Sequence, residues 1–450
     1  MSNRDATSAT EVPGLQEALN SICESAGFRR SPRLQRFLRY VVERAICAPE
    51  RPLKETQIAR EVFDRQADFD PQIDPIVRVE AGRLRLRLTE YYAGPGQKDA
   101  VLVELGRGGY LPTFRSNPPK SDQRGNTAAA STSAYRLYLK GRYFWGKRTA
   151  DGVAKAAEYF EKAIVVDPAL SLALLGIADC QLVAATFEFT SPLPMLQEAR
   201  AVAENVLQQG TLLAEAHTTL AAVKAFYDLD WRGADADFQR ALEIDPAYAT
   251  AWQWYGLFCC SLGRLEKGLA GLRTATERDP LSLMANTQLA CGFYQSKCYA
   301  EAQETCGLVI EMDPNFWPAR YFLGLVYEQQ NLFAQAVREL RQAEELSQGN
   351  TLTLSGLAHA HAGAGSHWEA RKILARLQGG PIYVSEWALA LVHAGLGETA
   401  IALELLARSI VNRSPQTVMF LSSDPRLDCL RSEPPFRELE SALYGPALLP

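Results

Sequence analysis

The dipeptide Asp-Pro recurs in this chain at a fixed interval of 34 residues, at positions 245–246, 279–280 and 313–314. A period of this length is typical of stacked helix–turn–helix units. The proline would end each unit, because proline cannot continue a helix. One such unit cannot bury both of its apolar faces, so neighbouring units must stack to form a continuous core. The period therefore predicts an array of helical hairpins.

The residues between two Asp-Pro pairs support this prediction. Trp252, Tyr255 and Gly256 lie at helical spacing on one face of a first helix. Gly268 and Ala275 do the same on a second helix, and such small residues allow two helices to approach closely. Weaker copies flank the regular units, with insertions near residues 186–194 and 227–231. We expect about eight repeats over residues 134–412.

These units resemble tetratricopeptide repeats. The resemblance implies an α-helical superhelix with a concave groove that binds a partner protein or peptide. It places six residues toward that groove: Gln253, Leu257, Thr287, Tyr294, Tyr321 and Glu328. An alternative stays open, in which several of these side chains simply pack inside the array.

The segment 28–115 has a different pattern. Ser31-Pro32 is a helix start, and an amphipathic stripe with Phe37 and Val41 follows it. A second short helix is predicted over residues 53–63 and a third one from Pro75 onward, with Val77 buried. The run VLVELGRGGYLPTF then has strand, Gly-rich turn and strand chemistry. Three helices followed by a β-hairpin is the order of a winged helix.

The run IVRVEAGRLRLRL followed by VELGRGGYLP resembles the DNA-binding domain of OmpR/PhoB-type regulators. A winged helix before tetratricopeptide repeats occurs in bacterial regulators of the CadC-like and HilA-like kind. The resemblance implies that the third helix enters the major groove of double-stranded DNA while the wing lies near the backbone. The implied DNA contacts are Lys54, Arg78, Arg83, Arg85, Arg87 and Arg107.

Some residues of this segment depart from the family pattern. Val79, Gly82 and Leu86 lie opposite the buried stripe of the third helix, where a base-reading helix usually carries polar groups. Glu80 would repel phosphate if it faced DNA, and Arg107 stands where the family's wing usually has glycine. A second hypothesis therefore remains, in which the chain is a non-catalytic adaptor whose winged helix contacts protein.

The charge distribution favours the first hypothesis. Residues 28–115 carry 17 Lys and Arg against 12 Asp and Glu, whereas the rest of the chain carries 30 against 40. A basic module beside an acidic body indicates that only the module meets a polyanion.

The remaining segments complete the predicted organisation. Residues 1–27 are expected to be a disordered tail, and residues 116–133, rich in Pro, Gly and Ser, a flexible linker. Residues 413–450 are expected to form a C-terminal capping segment with a polar outer face. The predicted fold class is mostly α, with an N-terminal winged helix of three helices and a hairpin wing before the repeat superhelix.

No catalytic motif stands out in the sequence. Walker A, GxSxG, HExxH and GxGxxG patterns are absent. The nine cysteines form no CxxC pair, which is typical of free thiols in a reducing cytoplasm. His359 and His361 point apart on a helix, and no run of about 18 apolar residues could span a membrane. We expect a cytoplasmic bacterial transcription regulator that is not an enzyme and uses no metal, cofactor or membrane.

Overall fold

The computed structural model describes residues 15–29, 31–47, 53–66, 69–70, 74, 76–92, 95–99, 101–106, 109–116, 125–210, 213–380 and 383–445. The chain divides into two compact units, residues 1–132 and residues 133–450. Each unit has its own apolar core.

The first unit contains five helices and one hairpin in the described ranges. The helices are α1 (Leu15–Glu24), α2 (Ala26–Arg29), α3 (Pro32–Cys47), α4 (Glu55–Phe63) and α5 (Ile76–Tyr92). A 3₁₀ turn (Pro95–Lys98) leads into β1 (Val101–Leu105) and β2 (Pro112–Ser116), which pair antiparallel with Val103 opposite Phe114.

The apolar stripes of α3, α4 and α5 meet in one core. Phe37 of α3 lies edge-on to Phe63 of α4, with ring centroids 5.4 Å apart. Val77 and Leu84 of α5 are fully buried, and Val103 of β1 closes the core. The helix spacing read from the sequence therefore does place these side chains on one face.

The N-terminal tail prediction is wrong from residue 15 onward. Leu15, Leu19 and Ile22 lie one turn apart on α1 and are buried in the core of the first unit. This short stripe supplies enough apolar area to fix a ten-residue helix. Residues 1–14 lie outside the described ranges.

The second unit is built from antiparallel helix pairs. Their bounds are α6 (Gly125–Trp145), α7 (Ala150–Val166), α8 (Ser171–Thr186), α9 (Pro192–Gln208), α10 (Ala214–Val223), α11 (Trp231–Ile244), α12 (Ala249–Ser261), α13 (Leu265–Arg278), α14 (Leu283–Gln295), α15 (Tyr299–Met312), α16 (Trp317–Gln329), α17 (Phe333–Leu346), α18 (Thr351–Gly363), α19 (His367–Gly379), α20 (Glu386–Gly395) and α21 (Thr399–Val411). After them come α22 (Pro415–Phe420), a 3₁₀ turn (Pro425–Leu427) and α23 (Pro434–Tyr444).

Two predicted loops differ from the structure. Helix α6 starts at Gly125, so the second half of the predicted linker 116–133 is helical. The alanine-rich sequence at 128–130 explains this, because alanine has the highest helix propensity. The insertion near residue 227 forms a π-helical turn over Lys224–Asp228, which widens the end of α10.

The Asp-Pro pairs have a clear structural role. Asp245 and Asp313 cap the ends of α11 and α15 in an extended conformation. The side chain of Asp245 accepts a hydrogen bond from the amide of Ala247 at 2.9 Å, and Asp313 accepts one from Asn315 at 3.0 Å. The aspartate therefore folds the chain around the proline and directs it into the next hairpin.

Glycine allows the close helix contact predicted within the fourth hairpin. A Cβ atom on Gly256 of α12 would lie 2.9 Å from the carbonyl oxygen of Gly268 on α13, and 2.6 Å from a side-chain carbon of Leu272. The two helices touch through their backbones at this point. No helix of the described ranges has both the length and the apolar character that a membrane crossing requires.

Candidate functional site

The first helices of successive hairpins, α8, α10, α12, α14, α16, α18 and α20, contact one another and line one surface, which we call the inner surface. They are buried on nearly every side, whereas second helices such as α13 bury a single face. All six predicted groove residues lie on these first helices: Gln253, Leu257, Thr287, Tyr294, Tyr321 and Glu328. None of the six has more than 6% of its surface exposed.

The chain itself covers the inner surface. Residues 414–433, which we call the strap, lead from the end of α21 to α23 and include α22. The amide of Gln416 donates to the carbonyl of Thr186 on α8 at 2.5 Å. The hydroxyl of Ser422 donates to the carbonyl of Ser261 on α12 at 3.0 Å. The strap thus binds first helices that lie far apart in the sequence.

A buried ion pair lies at the centre of the strap. The guanidinium of Arg426 contacts the carboxylate of Asp424 at 2.7 Å, and Tyr294 donates its hydroxyl to the same carboxylate at 3.0 Å. Burial alone would raise the pKa of Asp424, but the charge and hydrogen bonds of Arg426 outweigh it and lower that pKa below its ordinary value. Asp424 is therefore held as a carboxylate inside the array.

The six predicted groove residues do not share one environment. Leu257, Tyr294 and Tyr321 line a cavity of about 30 Å³ between the inner surface and the strap. Thr287 donates its hydroxyl to the carbonyl of its own helix residue Leu283, at 2.8 Å. The open groove expected from the resemblance is thus corrected to a surface that the strap covers, and partner contact by these residues stays a prediction.

The carboxylate of Glu328 is bound within the array by the ring nitrogen of His359. Gln253, also one of the predicted groove residues, is buried on α12. The sequence predicts residues 413–450 as a capping segment with a polar outer face, and this is corrected for the strap, where Asp424 and Arg426 are buried. The strap shows no periodicity, and a Ser-Asp-Pro-Arg turn at 423–426 is typical of an exposed loop.

The insertion after α8 also reaches across the array. The side-chain amide of Asn350 donates to the carbonyl of Phe187 at 2.7 Å, and Thr351 donates to the carboxylate of Glu188 at 3.1 Å. Burial raises the pKa of Glu188 to about 7. The indole of Trp317 donates to the carbonyl of Arg148 at 2.7 Å. Loops of the first two hairpins therefore touch the sixth and seventh.

In the first unit, the predicted DNA-contacting arginines have different surroundings. Arg83 is 65% exposed in its side chain and pairs with Glu80 at 2.8 Å, and Arg87 is 44% exposed and pairs with Glu90 at 2.8 Å. Arg78 is more buried and lies 3.3 Å from the carboxylate of Glu55 on α4. Arg83 and Arg87 are therefore the exposed cations of α5.

Arg85 does not point away from the protein. Its guanidinium donates to the carbonyls of Leu105 and Gly106, both at 3.2 Å, and of Gly109 at 3.0 Å. The predicted DNA contact by Arg85 is therefore corrected to a contact that fixes the hairpin to α5. Lys54 is exposed directly before α4, and Arg107 lies outside the described residues.

The outward centre of α5 is small and apolar, as the sequence indicates. Gly82 is exposed and Leu86 has 45% of its surface exposed, while Val79 is half-buried. Glu80 is buried and binds Arg83, so it does not face outward.

The thiols and histidines show no arrangement for metal binding. Burial raises the pKa of Cys259 to about 11 and of Cys260 to about 12, so both are held as thiols. Within the part of the chain that the structure describes, no three His, Cys, Asp or Glu side chains lie together in a way that could hold a metal ion.

A family model for the tetratricopeptide repeat matches residues 318–350. This stretch is the hairpin of α16 and α17. The second unit has a tetratricopeptide-like repeat fold. The 34-residue interval that ends at Asp313-Pro314 extends the same pattern to the preceding hairpins. Such arrays are protein-interaction scaffolds.

Solved structures with a likeness to this chain include PilW, YrrB and Tom70. PilW, a widely conserved type IV pilus biogenesis factor, is 19% identical over 45% of this chain and 93% of its own, with a TM-score of 0.37. YrrB, a tetratricopeptide protein with an unusual peptide-binding site, is 21% identical over 44% and 97%, with a TM-score of 0.29. Yeast Tom70 is 16% identical over 94% and 88%, with a TM-score of 0.39. No curated protein matches the chain.

Proposed function

We propose that this protein is a transcription regulator in which the first unit binds double-stranded DNA and the repeat array binds a partner protein or peptide. The observation that carries the proposal is α5, a 17-residue helix that packs on α3 and α4 and exposes Arg83 and Arg87. The β-hairpin follows it after one 3₁₀ turn, in the element order of a winged helix. The excess of basic residues over segment 28–115 supports the same proposal.

The contact of Arg85 with the hairpin gives this surface its rigidity. Three hydrogen bonds from Arg85 to backbone carbonyls hold the turn of the hairpin against the middle of α5. Helix and hairpin can then approach a duplex together, which lowers the entropy that is lost on binding.

The ion pairs of α5 do not prevent phosphate binding. The Arg87–Glu90 pair is exposed at both partners and contributes at most about 0.5 kcal/mol, so Arg87 can exchange it for a DNA phosphate at little cost. Arg83 would keep its contact with the buried Glu80 and present its exposed guanidinium to a phosphate. Phosphate contacts would supply most of the affinity and make it depend on salt.

A specific observation favours a second candidate, an adaptor whose first unit contacts protein. Gly82 and Leu86 occupy the exposed centre of α5, where donors or acceptors would be needed to read base edges. A small, apolar helix face is better suited to packing against another protein surface.

Binding of the full chain to a mixed-sequence DNA duplex separates the two candidates. We expect affinity that falls as salt rises, and a loss of about tenfold in the double variant Arg83→Ala, Arg87→Ala, with a salt slope smaller by about one per arginine. Arg240→Ala is the matched control, because Arg240 of α11 also forms an exposed pair with a glutamate three residues on, at 2.9 Å. Absence of duplex binding at low salt would reject the proposal in favour of the adaptor.

A further inference from the structure

The strap is fixed at its start and through α23, the helix that follows it. Thr417 donates to the hydroxyl of Ser409 on α21 at 2.8 Å. Tyr444 of α23 is buried beside Trp231 of α11, with ring centroids 6.2 Å apart, and donates to the carbonyl of Val418 at 2.9 Å. The strap therefore crosses the inner surface between two fixed points.

Two carboxylates of the strap bind residues of the fifth hairpin. Asp424 accepts the hydroxyl proton of Tyr294 at 3.0 Å inside the array. Asp428 contacts the ammonium of Lys297 at 2.5 Å at its edge, where both side chains are partly exposed. The two acids are four residues apart. The array thus recognises a pair of carboxylates with this spacing, one buried and one near solvent.

The polar fit between the strap and the inner surface is incomplete. Among the described residues, one guanidinium nitrogen of Arg426, the side-chain carbonyl oxygens of Gln288 and Gln295, and the hydroxyl of Ser423 are buried without a hydrogen-bond partner. Each such group has lost its hydration without gaining a hydrogen bond in return. The attraction within a buried ion pair such as Asp424–Arg426 also repays its desolvation only in part. The contact is therefore weaker than its burial alone suggests.

We propose that the strap is a resident ligand of the inner surface, which a peptide with two carboxylates four residues apart and an arginine between them can displace. The proposal rests on the partner-binding role of the array proposed above. The incoming carboxylates would take the places of Asp424 and Asp428 on Tyr294 and Lys297, and the arginine would take the place of Arg426 and balance the buried carboxylate. Donor groups of the peptide would satisfy Gln288 and Gln295.

The covalent link between the strap and α21, which we call the tether, sets how strongly such a peptide must bind. A ligand on a short linker acts at an effective concentration of about millimolar. A free peptide of equal intrinsic affinity therefore binds detectably only when the strap is released or when the peptide is present at comparable concentration. The intact chain is consequently a closed form of the scaffold.

The test uses the full chain with a protease site inserted between Asn412 and Arg413, which are exposed after α21. The probe is a fluorescent synthetic peptide of residues 413–445. We expect little binding before cleavage and an apparent affinity at least about tenfold higher after it, because the tether's effective concentration is lost.

Matched peptides show which contacts matter. A peptide with Asp424→Asn and Asp428→Asn should compete at least tenfold more weakly than the unchanged peptide. A peptide with Glu438→Gln, which alters an exposed residue of α23, should compete equally well.

Three results would overturn the proposal. The first is a cleaved array that cannot exchange its strap while its helix content is unchanged, the second is an array that unfolds on cleavage, and the third is equal binding of the unchanged peptide and the peptide with Asp424→Asn and Asp428→Asn. In each case the strap is a structural element rather than a displaceable ligand. DNA binding by the first unit is measured separately, so failure of peptide exchange with DNA binding intact affects this proposal alone.

Discussion

The hydroxyl of Tyr294 donates a hydrogen bond to the carboxylate of Asp424 at 3.0 Å, across 130 residues of sequence. Both side chains are fully buried, and Arg426 balances the charge of Asp424. This contact joins the middle of the repeat array to the strap that follows its last hairpin.

Loss of the Asp424 carboxylate should destabilise the array strongly. Asp424→Ala leaves Arg426 buried without its partner, and we expect about 3–5 kcal/mol lower unfolding free energy. Tyr294→Phe removes one hydrogen bond to this carboxylate and should cost about 1.5–3 kcal/mol. Urea unfolding of the full chain, monitored by the circular dichroism of its helices, measures both changes in unfolding free energy.

The control for this pair is Asp428→Ala. Its ion pair with Lys297 is partly exposed, so the unfolding free energy should change by less than about 1 kcal/mol. Equal losses of unfolding free energy in Asp424→Ala and Asp428→Ala would show that the buried ion pair contributes no more than the exposed one.

The stability of the array should depend on the ionisation of Glu188. Burial raises the pKa of this carboxyl from 4.5 to about 7, so the folded state holds its proton more tightly than the unfolded state does. Stability from this group is therefore fully present below about pH 4.5 and is lost as the pH rises to about 7, by about 3 kcal/mol in total.

Glu188→Gln isolates this effect. The variant keeps an oxygen that can accept from Thr351 but no longer titrates, so its unfolding free energy should be less dependent on pH between 4.5 and 7 than that of the wild type. Carboxyls with lowered pKa, such as Asp424, act at lower pH and in the opposite direction. Identical pH profiles for the two proteins would contradict the assignment.

Substitution by alanine should lower the stability of the array at Gly256 and raise it at Gly307. Gly256→Ala places a Cβ atom against Leu272 and the carbonyl of Gly268, and overpacking of this kind costs about 1–3 kcal/mol. Gly307 is exposed on α15 with open space around it, so Gly307→Ala should stabilise the helix by up to about 1 kcal/mol. Thermal unfolding of the two variants checks the difference in sign.

We expect Arg85 to stabilise the β-hairpin rather than to contact DNA. Arg85→Ala removes three hydrogen bonds to the carbonyls of Leu105, Gly106 and Gly109, so the amide of Val103 should exchange with solvent faster. Arg83→Ala should leave this exchange rate unchanged, because Arg83 contacts only its own helix among the hydrogen bonds of the described residues. Hydrogen exchange measured by NMR or mass spectrometry distinguishes the two.

Much of the repeat fold is local and could be predicted. The 34-residue interval, the Asp-Pro caps and the close approach of Gly256 to Gly268 all involve residues within one hairpin or its neighbour. The apolar stripes of α3 and α5 were also visible as helical spacing. Patterns of this kind depend on a few consecutive turns of chain.

The covering of the inner surface could not be predicted in the same way. It depends on contacts such as Gln416 with Thr186, which are 230 residues apart, and no periodic pattern marks either partner. Similarly, an arginine such as Arg85 has the same sequence appearance whether it binds a phosphate or a backbone carbonyl. Only the path of the chain decides between these roles.

The contacts of Asn350 with Phe187 and of Trp317 with Arg148 have a further consequence. In an open repeat array each unit contacts only its neighbours, so terminal units can fray independently. Here the early hairpins are bound to the late ones, and the chain forms a closed loop of contacts. We therefore expect the array to lose its structure in one cooperative step. A pulling force or a chaperone that acts on either end of the array would have to break the contacts between early and late hairpins before any single unit could unfold.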